Sequence, residues 1–409
     1  APTLALGGGS VGSGTGSGGS STTIWTYTFT PTSANQAVTI NVIAGAITDA
    51  AGNDNTATPT QFAFTHDRTA PTATIASTEV TTGGSLNEAV TFTVTFNEEM
   101  TGIADGDFTV GGERCTLSGY EVTTANTVFT QTCGGSGYTN GQLITISVGA
   151  VGTDPAGNSN TAATDFTWTY DTTAPTATIT STEVNTGGSL NQAATFTVTF
   201  SEEMTGIANG DFTVTDTRCV LSDFTVATAN TVFTQICTPD TPGELITLSV
   251  GVVGTDPAGN SNTAATDFTF TYETTAPTAT IASTEVTTGG RINEAVTFTV
   301  TFNEEMTGIA DGDFTVGDAR CTLSAFTVAT ANTIFTQICG GNGLTNTETI
   351  TISVAASKGT DPAGNANTAA TDFTWVYDTT VPTVSSIAVT GVTSGQYGND
   401  ATYTVIVTA

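Results

Sequence analysis

Acidic side chains recur at matching positions along this chain, and their types and spacing could hold a metal ion. Each of three successive repeats has a Glu-Glu pair, an Asp-Pro-Ala-Gly-Asn segment and a carboxylate shortly before an Ala-Pro step. Calcium takes about six to eight oxygen ligands in a flexible arrangement, so we predict Ca²⁺ as the bound ion. The candidate ligands are Asp67, Glu98, Glu99, Asp154 and Asn158 in the first set, Asp171, Glu202, Glu203, Asp256 and Asn260 in the second, and Glu273, Glu304, Glu305, Asp361 and Asn365 in the third.

Each of these segments also has an explanation that needs no metal. Asp-Pro-Ala-Gly places Asp, Pro and Gly where a type I turn favours them, and a Glu-Glu pair suits a solvated loop. The metal prediction therefore depends on the three acidic elements meeting in one place. If they do, carboxylates about 4 Å apart repel one another by about 1 to 4 kcal/mol, and a bound cation would remove that repulsion.

The chain carries a formal net charge of −31, from 37 Asp and Glu residues against six Lys and Arg. Nucleic acids and anionic lipids are bound mainly by basic side chains, so we expect no nucleic-acid partner. Because the sequence has no run of about 18 apolar residues, we also expect no direct membrane insertion of this segment. An acidic coat that keeps a protein soluble in salty surroundings explains the overall charge as well as metal binding does.

A unit of about a hundred residues recurs along the chain and contains the elements that must position the acids. In the first unit, residues 89–96, 143–148 and 165–170 alternate apolar residues with threonines, as half-buried strands do. About seven such strands per unit, with turns between them and no helical periodicity, predict an all-β fold of tandem immunoglobulin-like sandwiches. We expect these sandwiches to be arranged as an elongated rod.

The predicted topology brings the acidic elements together. In a seven-stranded sandwich the start of the first strand, the loop after the second strand and the loop after the sixth strand lie at the same end. The Glu-Glu pair follows the second strand, Asp-Pro-Ala-Gly-Asn follows the sixth, and the remaining carboxylate precedes the first. We therefore expect the predicted ligands of each set to converge where one unit ends and the next begins.

The repeats divide the chain into five segments. A Gly/Ser-rich tract at 7–20 has almost no core residues, and its composition predicts a flexible connector. A strand is predicted at 401–407, near the end of the chain. The predicted domains are an incomplete Ig-like domain at 1–67, full repeats at 68–171, 172–273 and 274–378, and the first strands of another incomplete domain at 379–409.

The motifs FTVTFxEEMTGIAxGDFTV, GTDPAGNxNTA and DTTAPT resemble those of the tandem bacterial immunoglobulin-like domains of giant extracellular adhesins and surface proteins. The resemblance covers the three full repeats and part of both ends. It implies an extracellular protein of tandem domains which, as in several members of that family, binds calcium at the junctions between domains. The motifs are specific for the type of domain and weak for any particular function.

Two cysteines with the same spacing occur in each full repeat, which is not a general feature of that family. One pair per repeat indicates one disulfide within each domain and an oxidising, extracellular location. A zinc site would need more ligands, and His66 is the only histidine. The predicted pairs are Cys115 with Cys133, Cys219 with Cys237, and Cys321 with Cys339.

These features predict a calcium-stiffened rod that serves as the stalk of a cell-surface adhesin or as the subunit of a surface filament. Its partners would be cell-surface or matrix components. Other copies of the chain would be partners too if the incomplete terminal domains complete each other by strand addition, although a piece of a longer protein would have the same ends. The alternative is a ligand-binding module for a carbohydrate or another surface. We expect no enzyme, because the acidic pairs recur in every repeat and the sequence lacks a suitable histidine base or phosphate-binding loop.

Overall fold

The computed structural model describes residues 1–17, 24–56, 61–111, 115–215, 218–317, 321–341, 343–398 and 402–409. Residues 18–20 of the predicted Gly/Ser tract and Ala401, where a strand is predicted to begin, lie outside these ranges. Within the described ranges, no helix is long and apolar enough to span a membrane. The chain forms two compact units, one of Ala1–Thr176, Ser201–Ile207 and Val252–Thr263, the other of Ala177–Phe200, Ala208–Gly251 and Ala264–Ala409.

The segment before the first full repeat forms three small sheets with the orders β1-β6-β7, β2-β5 and β3-β4. The prediction of a flexible connector is wrong for the described part of the Gly/Ser tract, which contributes β2 and β3. Their backbones pair with the threonine- and aromatic-rich stretch at 24–31, and backbone pairing needs no core side chain. The strands are β1 (Leu4–Gly7), β2 (Gly9–Val11), β3 (Thr15–Ser17), β4 (Ile24–Thr26), β5 (Phe29–Pro31), β6 (Asn35–Val42) and β7 (Phe62–Asp67).

The first full repeat folds into strands because its apolar residues alternate with threonines. In β10, the side chains of Val90, Phe92, Val94 and Phe96 are buried, whereas the threonines between them are half-buried or exposed. The strands of this first domain are β8 (Ala73–Ser77), β9 (Gly84–Leu86), β10 (Val90–Phe96), β11 (Phe108–Gly111), β12 (Thr116–Thr124), β13 (Val128–Gly134), β14 (Gln142–Val148) and β15 (Phe166–Tyr170).

These strands form two four-stranded sheets with the orders β8-β10-β13-β12 and β9-β15-β14-β11. The domain has eight strands rather than about seven, because the chain crosses from the first sheet to the second between β8 and β10. The short strand β9 is made at that crossing and pairs parallel to β15, whereas the other described pairings in the domain are antiparallel. The all-β Ig-like fold is as predicted.

The second and third domains repeat this topology strand for strand. The strands of the second are β16 (Ala177–Ser181), β17 (Gly188–Leu190), β18 (Ala194–Phe200), β19 (Phe212–Val214), β20 (Cys219–Thr228), β21 (Val232–Pro239), β22 (Glu244–Val250) and β23 (Phe268–Tyr272). Those of the third are β24 (Ala279–Ser283), β25 (Arg291–Ile292), β26 (Val296–Phe302), β27 (Phe314–Val316), β28 (Thr322–Thr330), β29 (Ile334–Gly340), β30 (Glu348–Val354) and β31 (Phe373–Tyr377). The chain ends in the antiparallel pair β32 (Ser386–Val389) and β33 (Val405–Thr408).

Each domain has its own core of aromatic and aliphatic side chains from both sheets. Trp168, Phe270 and Trp375 occupy equivalent positions and are almost completely buried, so these aromatics serve the core rather than an exposed binding surface. One disulfide per domain lies at the edge of the first sheet, with Cα–Cα separations of 5.4, 5.5 and 5.6 Å. The pairs are those predicted: Cys115–Cys133, Cys219–Cys237 and Cys321–Cys339.

Candidate metal centres

Three groups of three carboxylates lie where one domain ends and the next begins. In each group, one oxygen of every residue lies within 4.8 Å of the others. The first residue ends or follows the last strand of the preceding segment. The second follows β10, β18 or β26, and the third follows β14, β22 or β30. We call them the first cluster (Asp67, Glu98, Asp154), the second cluster (Asp171, Glu202, Asp256) and the third cluster (Glu273, Glu304, Asp361).

The Asp-Pro-Ala-Gly-Asn segment forms the predicted turn and fixes the buried member of each cluster. In the first domain, the carbonyl of Asp154 accepts the N–H of Gly157 at 3.1 Å, and Oδ1 of Asp154 accepts the N–H of Asn158 at 2.8 Å. Gly157 has a φ of +92°, a value that favours glycine. Asp154 is 2% exposed, so the turn holds a carboxylate inward that would otherwise extend into solvent.

The glutamate of each cluster has a raised pKa. Burial, followed by the charges of Asp67 and Asp154, raises the pKa of Glu98 above its ordinary range. Burial and then the two cluster neighbours likewise raise the pKa of Glu202 and of Glu304. The side-chain hydrogen bond from Asn158 instead lowers the pKa of Asp154. Each cluster thus concentrates negative charge that a cation would stabilise.

The second glutamate of each Glu-Glu pair lies outside its cluster. Glu99 accepts a hydrogen bond from Nδ2 of Asn126 at 3.4 Å, and Glu305 accepts one from Asn332 at the same distance. Glu203, their counterpart in the second domain, is also outside the three-carboxylate group. Among the described residues, only the first glutamate of each predicted pair has an oxygen within 4.8 Å of the junction carboxylates, whereas Glu99 and Glu305 line the cavities beside the first and third clusters.

The predicted asparagine ligands turn a nitrogen, rather than an oxygen, toward the acids. Nδ2 of Asn158 donates to Oδ2 of Asp154 at 2.8 Å and to the backbone carbonyl of Asp67 at 3.2 Å. Asn260 and Asn365 make the same pair of hydrogen bonds in the next two domains. In this arrangement the asparagines orient the cluster, and the carboxylates are the groups that would face a metal.

The donor atoms suit a hard cation. Every cluster ligand is a carboxylate, and such oxygens favour Ca²⁺ or Mg²⁺ over metals that prefer imidazole or thiolate. Cavities adjoin the first and third clusters, with volumes of about 390 Å³ and about 170 Å³. Among the described residues, the ion pairs leave the cluster carboxylates out: Arg218–Glu244, Arg291–Asp378 and Lys358–Asp313. The clusters could therefore bind a metal ion.

The family of the chain follows from its repeated sequence. The profile of a family described as "Bacterial Ig-like domain" matches residues 67–170, 171–272 and 273–376. The chain belongs to this family. Each of the three bacterial Ig-like domains, as matched, begins at the first carboxylate of a cluster.

Similarity to individual proteins is weaker. No curated protein matches the chain. Among solved structures, invasin, a bacterial integrin-binding protein, is 11% identical with a TM-score of 0.36, covering 91% of this chain and 71% of that one. The D0-D1 domain of intimin (18% identity, TM-score 0.17) and the tandem Ig repeats of Dlar (13%, 0.15) each cover 50% of this chain, and 97% and 98% of their own. With TM-scores this low, these similarities say nothing about function.

Two asparagines at the junctions of the bacterial Ig-like domains were not predicted from the sequence. Asn87 and Asn191 lie just before β10 and β18 and contact the cluster-bearing loop of the following domain. The available signal was the recurring Gly-Gly-Ser-Leu-Asn segment at 83–87 and 187–191. This segment carries no charge. It lies at the far end of the domain because it contains β9, a strand that the sequence does not predict.

Proposed function

We propose that this chain is a structural segment of an extracellular adhesin or surface filament, in which calcium ions join consecutive bacterial Ig-like domains. The observation that carries the proposal is the recurrence of one carboxylate cluster at the start of each family-matched repeat. A catalytic centre is not expected three times over at domain boundaries, whereas a structural ion is. The chain would act as a stalk between an anchor and a ligand-binding tip.

Calcium is the favoured ion because the ligands are carboxylate oxygens and the site allows a variable coordination geometry. The carboxylates come from three separate chain segments, and the cavities leave room for backbone carbonyls and water as further ligands. Ca²⁺ accepts about six to eight oxygens in variable geometry, whereas Mg²⁺ requires a tight octahedron. An ion held jointly by the end of one domain and two loops of the next would restrict rotation between them, which is the stiffening expected of a stalk.

Location and partners are part of the same proposal. The three disulfides favour an oxidising, extracellular environment. The formal charge of −31 disfavours nucleic acid and anionic lipid as partners. Cell-surface or matrix components are the partners that fit a non-catalytic surface segment.

Trypsin offers a direct test at the first junction, because Arg68 directly follows Asp67 of the first cluster and is exposed. We expect calcium to slow cleavage after Arg68 relative to cleavage in chelator. The exposed Arg291, whose partner Asp378 belongs to no cluster, is the internal reference, and the ratio of the two rates corrects for calcium effects on trypsin itself. Magnesium should protect less. A ratio that does not change between calcium and chelator would contradict the proposal.

Association between copies is a second candidate role, supported by exposed apolar side chains on both terminal segments. Phe62 in β7 is 65% exposed, and Ile387 in β32 and Ile406 in β33 are 68% and 53% exposed. Strand addition between the C-terminal pair of one copy and the N-terminal sheet of another would cover them. Sedimentation velocity over rising concentration should show head-to-tail oligomers that Ile406→Asp abolishes. A chain that stays monomeric at high concentration would remove this candidate.

A further inference from the structure

At the second junction, the first domain holds the cluster-bearing loop of the second through an asparagine. The backbone N–H of Asn87 donates to the carbonyl of Ala258 at 3.1 Å, and Nδ2 of Asn87 donates to Oδ1 of Asn260 at 3.0 Å. Asn260 in turn donates from Nδ2 to the carbonyl of Asp171 and to Oδ2 of Asp256, both at 2.9 Å. A chain of hydrogen bonds thus leads from one domain to the carboxylate of Asp256 and the backbone of Asp171 in the second cluster.

The third junction repeats this chain of contacts. The N–H of Asn191 donates to the carbonyl of Ala363 at 3.1 Å, and its Nδ2 donates to Oδ1 of Asn365 at 3.1 Å. Asn365 donates to Oδ2 of Asp361 at 2.9 Å and to the carbonyl of Glu273 at 3.1 Å. Two independent occurrences of the same geometry indicate a built feature of the junction.

The first junction lacks this arrangement in the part of the chain that the structure describes. No residue before Asp67 donates a hydrogen bond to Asn158 there. Ala156 is exposed, whereas its counterparts Ala258 and Ala363 are 1% and 4% exposed. The cavity at the first cluster, about 390 Å³, is also larger than the cavity of about 170 Å³ at the third.

The surroundings of the turn glycines also differ between the first junction and the other two. A Cβ added at Gly259 or Gly364 would lie 3.4 Å from Nδ2 of Asn87 or Asn191, whereas one added at Gly157 would meet no atom of the described residues within 4 Å. The preceding domain therefore closes over the loop at the second and third junctions and leaves it open at the first.

We propose that Asn87 and Asn191 are positioning residues that hold the cluster-bearing loop of the next domain without any metal, so that the second and third clusters are pre-organised and the first is not. The hydrogen bonds to Ala258 and Ala363 use neutral groups and depend on no ion. The consequence for metal binding rests on the proposed function: an ion that enters a pre-arranged cluster does not have to order the junction, so its apparent affinity is higher.

Amide hydrogen exchange of the full chain in chelator tests whether Asn87 and Asn191 hold the loop of the next domain without a metal. Asn293 is the matched internal control, since it occupies the same position in the third domain (Gly-Gly-Arg-Ile-Asn) but is exposed. After correction for intrinsic rates, we expect the N–H groups of Asn87 and Asn191 to exchange about tenfold more slowly than that of Asn293. Equal exchange at the three positions would overturn the proposal.

A double variant with Asn87→Ala and Asn191→Ala tests how much the asparagine side chains contribute to the slow exchange, with Asn293→Ala as its control. The double variant should exchange several-fold faster at positions 87 and 191 and remain unchanged at position 293. Exchange that is unaffected by the double substitution would refute a role for these side chains, and the measurement on the unmodified chain stands even if the variant does not fold.

Calcium titration of the same proteins distinguishes failure of this proposal from failure of the proposed function. The unmodified chain should show two tighter sites and one weaker site, differing about tenfold in affinity, and the double variant should bring them together. Three equal sites in the unmodified chain would overturn the pre-organisation. Absence of calcium binding together with slow exchange at Asn87 and Asn191 would refute the calcium junction and leave the hydrogen-bonded one in place.

Discussion

Replacing the cluster glutamate by its neutral isostere should change stability in opposite directions with and without calcium. We consider Glu202→Gln and Glu304→Gln together, which alter the second and third clusters. The cluster oxygens lie within 4.8 Å of one another. At that separation two unit charges repel by about 1 kcal/mol in bulk water and about 3.5 kcal/mol at an effective dielectric constant of about 20. Each substitution removes two of the three repulsive pairs in its cluster.

Solvent and salt screen these half-buried groups, and the raised pKa of each glutamate means that it is ionised less readily. We therefore use the repulsion between two charges in bulk water. Screening then reduces the stabilisation from removing two such pairs to about 1 kcal/mol per cluster. For a domain of about a hundred residues, this corresponds to a rise in Tm of about 4–8 °C in chelator. Calcium at a free concentration of 100 times its Kd stabilises a site by about 2.7 kcal/mol. The variant should lose much of this stabilisation, because it lacks one of the three carboxylates of the cluster.

Scanning calorimetry of the full chain at low salt, in chelator and in saturating calcium, measures both effects. The variant should melt above the unmodified chain in chelator and below it in calcium. The matched control carries Glu203→Gln and Glu305→Gln, at the neighbouring residues that lie outside the clusters, and should show no such crossing. A cluster variant that is destabilised equally in both conditions would refute the electrostatic reasoning.

Three further outcomes follow from the same structure. In chelator, the pKa values of the cluster glutamates are raised in the folded chain, so the folded chain takes up protons before the unfolded chain does and Tm should rise as the pH first falls from 7. Glu79, Glu183 and Glu285, whose pKa values are lowered, oppose this rise only as the pH approaches 4.5. A Tm that falls at the start of this range would contradict the raised pKa values. Reducing the disulfides should lower the free energy of unfolding by about 3 kcal/mol per domain. Denaturant unfolding with and without reductant measures this change, and an unchanged midpoint would contradict the stabilising role of the disulfides. Trp168→Phe should change stability by less than about 1.5 kcal/mol, because Phe270 fills the equivalent position and the buried Nε1 of Trp168 has no hydrogen-bond partner among the described residues. A loss of about 3–5 kcal/mol, typical of truncation to Ala, would show that the two cores are not interchangeable.

Much of the fold was predictable because its determinants are local. The alternation in Val90–Phe96 predicts the buried face of β10 directly, and the repeated motifs fix the domain type. The meeting of Glu98 with Asp154 followed from topology, since the loops after β10 and β14 lie at one end of an Ig-like sandwich. The crossing strand β9 was missed because three residues carry too short a pattern to be recognised.

The details of each junction depended on tertiary contacts that no pattern encodes. Asn158 and Glu99 have the right chemistry for metal ligands, yet Asn158 turns its amide nitrogen toward Asp154, and Glu99 lines the cavity beside the first cluster while it accepts a hydrogen bond from Asn126. The Gly/Ser tract was predicted from composition, but its backbone found partners in the next twenty or so residues of the chain. The contact of Asn87 with Asn260 joins residues that are 173 positions apart in the chain, and no local pattern encodes such a contact.

The calcium content of the full chain after equilibrium dialysis tests the central claim most directly. Dialysis against millimolar calcium, followed by elemental analysis of the protein against the dialysate, counts the ions that the junctions hold. The clusters predict three calcium ions per chain, one at the start of each bacterial Ig-like domain. A chain with no calcium above the dialysate would contradict the account.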